Sequence, residues 1–499
     1  MHKFVTFKSN IKDKILFVNT CLLICFTTAC ASNHDKLTLP VQIDASFKSA
    51  NVEASEPKLP LSEKWWEDLQ DKDLSLLIEE SLDENFNLKI AWDRLAQAGA
   101  TLRKENSALF PTIEASNNNQ RAELRQFFGD QIRTNWRTNF IARITANYEL
   151  DIWGRLNSAS NAAFNSYKAS EEEVKTAGIT ISSEIALVWF EILELIKQKK
   201  IIEKQEELNV KTRELVILRF ANGLVSVSDI LQQEQLLESL SSERELIDAQ
   251  LNAAKNQLSL LRGKTPNIDK TLNNLIEKKL IITEEENELE FYYLPPQPPL
   301  GIPADLITRR PDVKQALYQV QAADFRVASA VADRLPRIAL SAGISTNTTE
   351  FQEIFKDWLM NVASNIVGPI FDAGLRASEV DRTKAALSES LNNYSQIIIE
   401  SIVEVDDAVN QEFHQKIALE SLERQLEISE KVLSRIQARY NKGLIGYLDV
   451  LNAITNMQNL QRKILTSKRE LINNRIALYR ALAGSWEMHP PEQKVMQPS

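Results

Sequence analysis

Thiols are nearly absent from this chain. Its three cysteines, Cys21, Cys25 and Cys30, all lie at or before position 30. The remainder therefore has no disulfide, no CxxC redox pair and no cysteine-ligated zinc. Histidine is as sparse: His2, His34, His414 and His489 show no metal-ligand spacing. No GxGxxG, P-loop, GxSxG or HExxH motif occurs, so no enzymatic role is expected and no metal or catalytic cofactor is called for. The only sizeable apolar run, Ile15 to Phe26, is too short to span a membrane as a helix. Basic clusters are missing and the net charge is −10, which argues against nucleic acid as a partner. Proline is absent between Pro111 and Pro266 and again between Pro369 and Pro490. Tracts that long, rich in Leu, Glu, Lys, Gln and Ala, read as long helices.

What the chain does contain is a passage written twice. Residues 219–262 return as 439–482, 220 positions on: Arg219, Gly223, Leu224 and Asp229 recur as Arg439, Gly443, Leu444 and Asp449. Earlier in each half the offset is 225, with Phe110 to Ser116 answering Leu335 to Ser341. Solenoids need shorter periods and at least three copies. The duplication therefore implies two similar halves of one object, in equivalent surroundings.

Residues 1–29 read as an export signal. Lys3, Lys8, Lys12 and Lys14 precede the apolar run, and Thr27-Thr28-Ala29 leads to Cys30. This end is similar to a bacterial lipoprotein signal, with Thr27 where Leu is usual. Such a signal implies an N-palmitoyl and S-diacylglycerol lipid on Cys30. The alternative is ordinary cleavage, with Cys30 an incidental thiol. Loss of residues 1–29 removes four Lys and one Asp and takes the net charge from −10 to −13.

Residues 30–60 are polar and punctuated by Pro, an extended arm. The first repeat spans 61–265: helices from Trp65-Trp66 to Leu109, broken near Asn85 to Asn87, two strands at about 112–152, and a helical hairpin over 157–262. An equatorial connector, 266–302, contains "LPPQPPLGIP", which cannot be helical. The second repeat, 303–486, has a helix, two strands at about 337–372 and a hairpin over 375–482; a tail, 487–499, follows. From Phe140 to Asp151 apolar and mostly polar residues alternate, a period of two. Similar alternation runs through Ile338 to Ile344 and Trp358 to Ile370, and more weakly through 112–121. Strands of about 9–11 residues with this pattern suit a membrane barrel, or else four strands of a soluble sheet. In the second hairpin Leu419, Leu426, Leu433 and Tyr440 fall seven apart, the spacing of a coiled-coil seam.

Four strands cannot close a barrel in lipid, because open edges would leave backbone groups unpaired in hydrocarbon. Three chains supply twelve strands, an even number and a closed ring, with six hairpins continuing it as a tube. The fold class expected is thus a membrane α+β protein: a trimeric channel-tunnel with four strands per chain, long helical hairpins and an internal two-fold repeat. At this point the order and spacing of "FPTI", "YELDIWGRL", "DLITRRPDV", "GPIFDAGLR", "RYNKGLIGYLDVLNA" and "YRALAGSW" resemble one family. They are similar to the TolC-like outer-membrane factors of tripartite efflux systems, in particular the OprM and NodT-type lipoprotein branch. The resemblance implies a twelve-stranded outer-membrane barrel, a periplasmic α-barrel and a homotrimer. It also implies two partners, a periplasmic adaptor and an inner-membrane pump, often of the resistance-nodulation-division type. The chain would be the passive exit duct for small molecules. A duct for type I protein secretion, or a periplasmic lipoprotein without a pore, are the alternative readings.

The resemblance also places the sites. Leu448 matches the family's apolar constriction at the hairpin tips. One helical turn on, where the family commonly has an Asp ring, stands Asn452, whose repeat mate is Gln232. Asp449 and Asp229 are the nearest carboxylates, either part of the gate or caps of the returning helices. Arg219, Gly223, Leu224, Arg439, Gly443 and Leu444 would form the surface the adaptor contacts, the glycines also permitting left-handed backbone at a helix end. Pro311 and Asp312 of "RRPD" suit a helix start. The expectation for the N-terminus is tested most directly at Cys30. Cys30→Ser should abolish metabolic labelling with palmitate, and unchanged labelling would show that Cys30 carries no lipid.

Overall fold

The computed structural model describes residues 64–129, 131–266, 269–282, 293–300 and 303–482. The signal, Cys30, the arm to residue 60 and the tail 487–499 lie outside the described residues. A short 3-10 turn, Trp65–Leu69, leads into α1 (Lys72–Glu84) and α2 (Phe86–Ser107). Asp71 caps α1, its carboxylate accepting from the Asp73 and Leu74 amides at 2.9 and 3.1 Å. Asn85 makes the break foreseen between the helices. Its side-chain oxygen accepts from the Leu88 N–H at 3.1 Å while its amide donates to the Leu261 carbonyl at 2.6 Å. That second bond ties the start of the chain to the end of the first hairpin.

Two strands follow, β1 (Thr112–Phe128) and β2 (Gln131–Leu150), then α3 (Arg155–Ala221) and α4 (Val227–Leu261). At 67 residues, α3 is about 100 Å long. A helix, α5 (Lys270–Ile282), occupies the connector, where the alternation of the repeats offers no guide. It forms because Leu272 and Ile276, one turn apart, have a core to enter. Tyr293–Leu300 is irregular, as its prolines require. The second repeat runs α6 (Pro303–Arg309), α7 (Pro311–Ala332), β3 (Arg337–Thr348), β4 (Leu359–Val367), α8 (Leu375–Asn441) and α9 (Tyr447–Ala481). Pro311 opens α7 as expected, with Arg310 before it bound to Asp312 and Glu404 at 2.6 and 2.8 Å.

The main core lies near the middle of α3. Trp65, Trp66, Leu77, Trp189, Phe190 and Tyr479 are almost wholly buried there, drawn from the first turn, α1, α3 and α9. Trp65 stacks on Tyr479 at 5.5 Å, and the Trp189 indole donates to Asp71 at 3.0 Å. Each such side chain contributes about 1.5–3 kcal/mol or more by leaving water. Buried Arg262 joins this region to the connector through Asp269 and Glu80, both at 2.5 Å. In the second hairpin the seven-residue seam packs as expected: Leu419, Leu422 and Leu426 meet Met457, Leu460 and Ile464 of α9.

The four strands form one antiparallel sheet, ordered β1-β2-β3-β4. Alternation in sequence predicts strands of about 9–11 residues, whereas β1 and β2 run to 17 and 20. The excess lies in the outer part of the hairpin, where Arg121 pairs with Thr138 and Arg125 with Thr134. There Arg121, Arg125, Thr134 and Thr138 interrupt the face that carries Ile132 and Trp136, so the period of two is weak. β4 is instead shorter than the Trp358 to Ile370 pattern, ending before Gly368-Pro369, because Pro369 has no N–H for the ladder.

Register sorts the faces. Ala115, Ile144, Ile344 and Met360 stand side by side across the four strands, on the same face as Tyr148, Leu340, Val362 and Ile366. The opposite face carries Arg143, Asn147, Ser341, Ser345 and Asn361. Ile144 is 57% exposed and Val362 73%, so in a single chain the apolar face is uncovered. Arg placed at Ile144 should cost roughly 2–4 kcal/mol of stability in a bilayer, and Arg at Asn147 should be tolerated. Folding into lipid vesicles measures both, and equal tolerance would contradict this assignment of faces.

Candidate functional site

Both hairpin tips are built alike. α3 ends in a Schellman turn in which the Gly223 N–H donates to the Phe220 carbonyl at 2.9 Å and the Leu224 N–H to Arg219 at 2.9 Å. α8 ends identically, with Gly443 donating to Tyr440 at 2.9 Å and Leu444 to Arg439 at 3.1 Å. Gly223 and Gly443 have φ of +69° and +71°, backbone that a Cβ would strain although the space around each is open. The leucine following such a turn often folds back onto the helix. Here Leu224 and Leu444 are 67% and 64% exposed, so each tip presents an uncovered leucine.

The returning helices start differently. Ser226 and Asp229 form a capping box on α4, the carboxylate accepting from the Ser226 N–H at 2.7 Å. On α9 Gly446 takes the place of Ser226, and Asp449 lies exposed in the first turn. Leu448 and Asn452 are exposed as well, whereas Gln232 is half-buried with its side-chain oxygen lacking a hydrogen-bond partner.

Between the two hairpins runs a polar seam. Buried Tyr447 donates its hydroxyl to Gln233, whose amide donates to Asn209 at 2.8 Å on its carbonyl and 3.1 Å on its side chain. Asn209 donates to the Gln205 carbonyl at 2.7 Å, and Gln205 meets Gln461 at 3.3 Å and Arg462 at 2.8 Å. Arg219 lies 4.4 Å over the Tyr440 ring, which in turn is 5.7 Å from Tyr447. Burial pushes the Tyr447 hydroxyl well above its usual range, with Tyr440 and Asp229 adding to it, and pushes Tyr440 in the same direction. Tyr447 therefore stays a protonated donor to Gln233, while the buried Tyr440 hydroxyl has no hydrogen-bond partner. Val216, Val450 and Ile230 pack around them.

At the other end of the long helices, each strand-to-helix corner is held by a carboxylate. Asp151 accepts from the Leu156 and Asn157 amides at 3.0 and 2.7 Å, and Asp372 from the Gly374 amide at 3.1 Å. Trp153 donates to the Pro336 carbonyl at 2.7 Å, joining the first corner to the start of β3. On the apolar face Tyr148 stands near this end and Trp136 near the turn, with Arg121 stacked on it at 4.8 Å. The strand between them is about 40 Å long at roughly 3.4 Å per residue, and about 30 Å high if tilted near 40°. That height matches the hydrocarbon core of a bilayer, about 30 Å. Among the described residues no helix is long and apolar enough to cross one.

The outer membrane efflux protein family is matched over residues 77–264 and 302–484. The chain belongs to that family. Among relatives, the pyoverdine export outer membrane protein OpmQ of Pseudomonas aeruginosa is 26% identical, over 85% of this chain and 88% of its own. The "Probable outer membrane lipoprotein SilC" of Salmonella typhimurium is 26% identical over 95% and 99%. Among solved structures, the outer-membrane channel OprN aligns with a TM-score of 0.80 at 21% identity, covering 90% of this chain and 98% of its own. As a member of this family the chain is an outer-membrane protein of efflux, with the TolC-like channel fold.

Of the residues singled out from sequence, Arg219 and Asp229 come together with Tyr440 and Tyr447 at the seam between hairpins. Leu448, Asp449 and Asn452 lie outside that seam, on the exposed side of α9. The seam residues Tyr447, Gln233, Asn209 and Arg462 escape a reading that looks for what the repeats share. They stand out where the repeats differ: Tyr447 answers Val227, Gln233 answers Ala453, and Ser226 answers Gly446. Tyr447→Phe leaves the Gln233 oxygen without its donor, which should cost about 1–3 kcal/mol locally. Amide hydrogen exchange should quicken around Gln233 and Tyr447 while the core at Trp189 is unaffected; unchanged exchange at the tip would show the bond to be idle.

Proposed function

We propose that three copies of the chain close into a twelve-stranded outer-membrane barrel continued by six helical hairpins, and that this trimer is the passive exit duct of a tripartite efflux system. The open sheet carries the reading: β1 and β4 each leave one edge without a partner in the chain, a state that hydrocarbon does not tolerate. The apolar face then meets lipid and the Arg143, Asn147 and Ser345 face lines a water-filled lumen. A periplasmic adaptor would dock at the tips, on Arg219, Gly223, Leu224, Arg439, Gly443 and Leu444, where both leucines stand exposed. An inner-membrane pump, of the resistance-nodulation-division type, would supply the energy and choose the cargo, small molecules such as drugs or toxic compounds. A lipid on Cys30 would add a second anchor, in keeping with the lipoprotein name that SilC carries.

In the resting trimer a ring of Leu448 side chains would close the entrance, excluding water by apolar contact. Asn452 in place of a carboxylate removes a cation-binding ring from this level, and Asp449 with Asp229 is secondary. Asp229 is already occupied with Ser226, which leaves Asp449 the freer of the two, and Gln232 faces the half-buried side of α4. Planar-bilayer recording of the isolated protein tests this. Leu448→Ala should raise conductance and sensitise cells to large antibiotics such as vancomycin. Asn452→Ala should change little, and Asn452→Asp should make conductance sensitive to divalent cations. A wild-type protein that forms neither heat-resistant trimers on unboiled gels nor channels would overturn the duct; an open pore in Asn452→Ala with Leu448→Ala unaltered would move the gate.

A further inference from the structure

The two free edges of the sheet are related by the duplication. Gly154 and Gly374, which precede the two long helices, lie 220 positions apart, and Pro111 and Pro336, ahead of β1 and β3, lie 225 apart. The same offsets hold inside the ladders. Thr112 faces Asn147 across β1 and β2, and their repeat mates Arg337 and Val367 face each other across β3 and β4. Both in-chain hairpins therefore share one register. The remaining in-chain contact, β2 with β3, sets Phe140 against Thr348 and Asn147 against Ser341. Carried by the repeat, it becomes a contact of β4 with β1, with Met360 against Glu123 and Val367 against Ser116. These strands are opposite edges of one four-stranded sheet, too small to close on itself, so the contact has to form between copies.

Two further observations agree with that mapping. Leu150 and Ile338 face each other at the helix end of the β2–β3 ladder, and both are half-buried. Their repeat mates are Ile370 and Ile113, which are 103% and 74% exposed. An apolar pair covered inside the chain is thus left open where the next copy would stand. The faces agree as well. Ile366 and Asn117 both lie on the face of Ile144, and Val367 and Ser116 both lie on the face of Arg143. Setting Ile366 against Asn117 and Val367 against Ser116 therefore joins like faces. A register one residue off, which would align Asp151 with Asp372 instead of the two glycines, turns the apolar face of one copy toward the lumen of the next.

We infer that β4 of one copy pairs antiparallel with β1 of the next in this register, Met360–Val367 lying against Glu123–Ser116 and Ile370 covering Ile113. The inference rests on the proposed duct and adds to it which residues of two copies meet. Pro369, with no N–H to give, ends the ladder beyond Val367. At the corner inside the chain the Trp153 indole bonds the Pro336 carbonyl, whereas its repeat mate Ala373 has no side-chain donor for Pro111 of the next copy. The junction between copies is held at that level by the apolar pair instead.

Paired cysteines on the lumen face of the full-length protein test this, oxidised with copper phenanthroline in isolated outer membranes and read on boiled, non-reducing gels. Val367→Cys with Ser116→Cys, and Asn365→Cys with Asn118→Cys, should give covalent trimers that reductant dissolves. Cβ atoms directly opposite lie about 4.5–5.5 Å apart, close to disulfide range. Val367→Cys with Glu114→Cys, or with Asn118→Cys, sets the sulfurs on a diagonal of about 7–8 Å and should link severalfold less. The single variants should stay monomeric after boiling, and every variant left unboiled should run as a heat-resistant trimer. A diagonal pair that links best, or no pair that links while unboiled trimers persist, would overturn this register and leave the duct standing. Equal yield from all four pairs would overturn a fixed ladder between β4 and β1. Links confined to single chains, or ending at covalent dimers, would overturn threefold closure and the duct with it.

Discussion

A backbone N–H or C=O in contact with hydrocarbon has to be hydrogen-bonded, and a four-stranded sheet has two edges where it is not. Most of the molecule can be traced to that constraint. In the proposed trimer the apolar face meets lipid, and β1 and β4 find their partner strands in neighbouring chains. The two strand-to-helix corners match: Asp151 and Asp372 seat the two long helices, and Trp153 ties the first corner to the Pro336 carbonyl ahead of β3. The helices then leave the sheet on the same side and run for about 100 Å. The proposed duct, beginning in a membrane and ending far from it, rests on these joints.

Duplication supplies the symmetry, and divergence between the copies breaks it at the junction of the hairpins. A pure repeat would make every junction between hairpins the same. Here the junction inside one chain holds Tyr447, Gln233, Asn209 and Gln205 in a continuous chain of donors and acceptors, with Arg219 stacked on Tyr440. Carrying that pattern onto the other junction by the repeat would put Val227 and Ala453 where Tyr447 and Gln233 stand. The repeat therefore does not reproduce the polar chemistry of this junction. The exposed Leu224 and Leu444 sit at equivalent positions on both.

The same contrast explains what could be read early. Gly223 and Gly443 announce themselves because only glycine accepts φ near +70° without strain, so the helix ends and the hairpins were legible. The strands were most legible where one face is wholly apolar: Phe140 to Leu150 showed the alternation, while in Gln131 to Asn139 Thr134 and Thr138 interrupt the face that carries Ile132 and Trp136. Helix α5 was missed because it belongs to neither repeat, although Leu272 and Ile276 carry the helical spacing. Trp189, Tyr479 and Arg262 gave no local sign of their roles, since their partners are far off in the chain: Asp71, Trp65 and Glu80.

The order of residues alone dictates the helix lengths, the two turns, the alternation of the strands and the duplication, because each depends on neighbours within a few positions or on likeness between segments. The pairing of β2 with β3, nearly two hundred residues apart, depends instead on the folded chain. So does the buried bond between Tyr447 and Gln233. Local periodicity says which face of an element is apolar. Which other face it meets, and which polar group is shut away from water as a result, is decided only when distant segments compete for the same space.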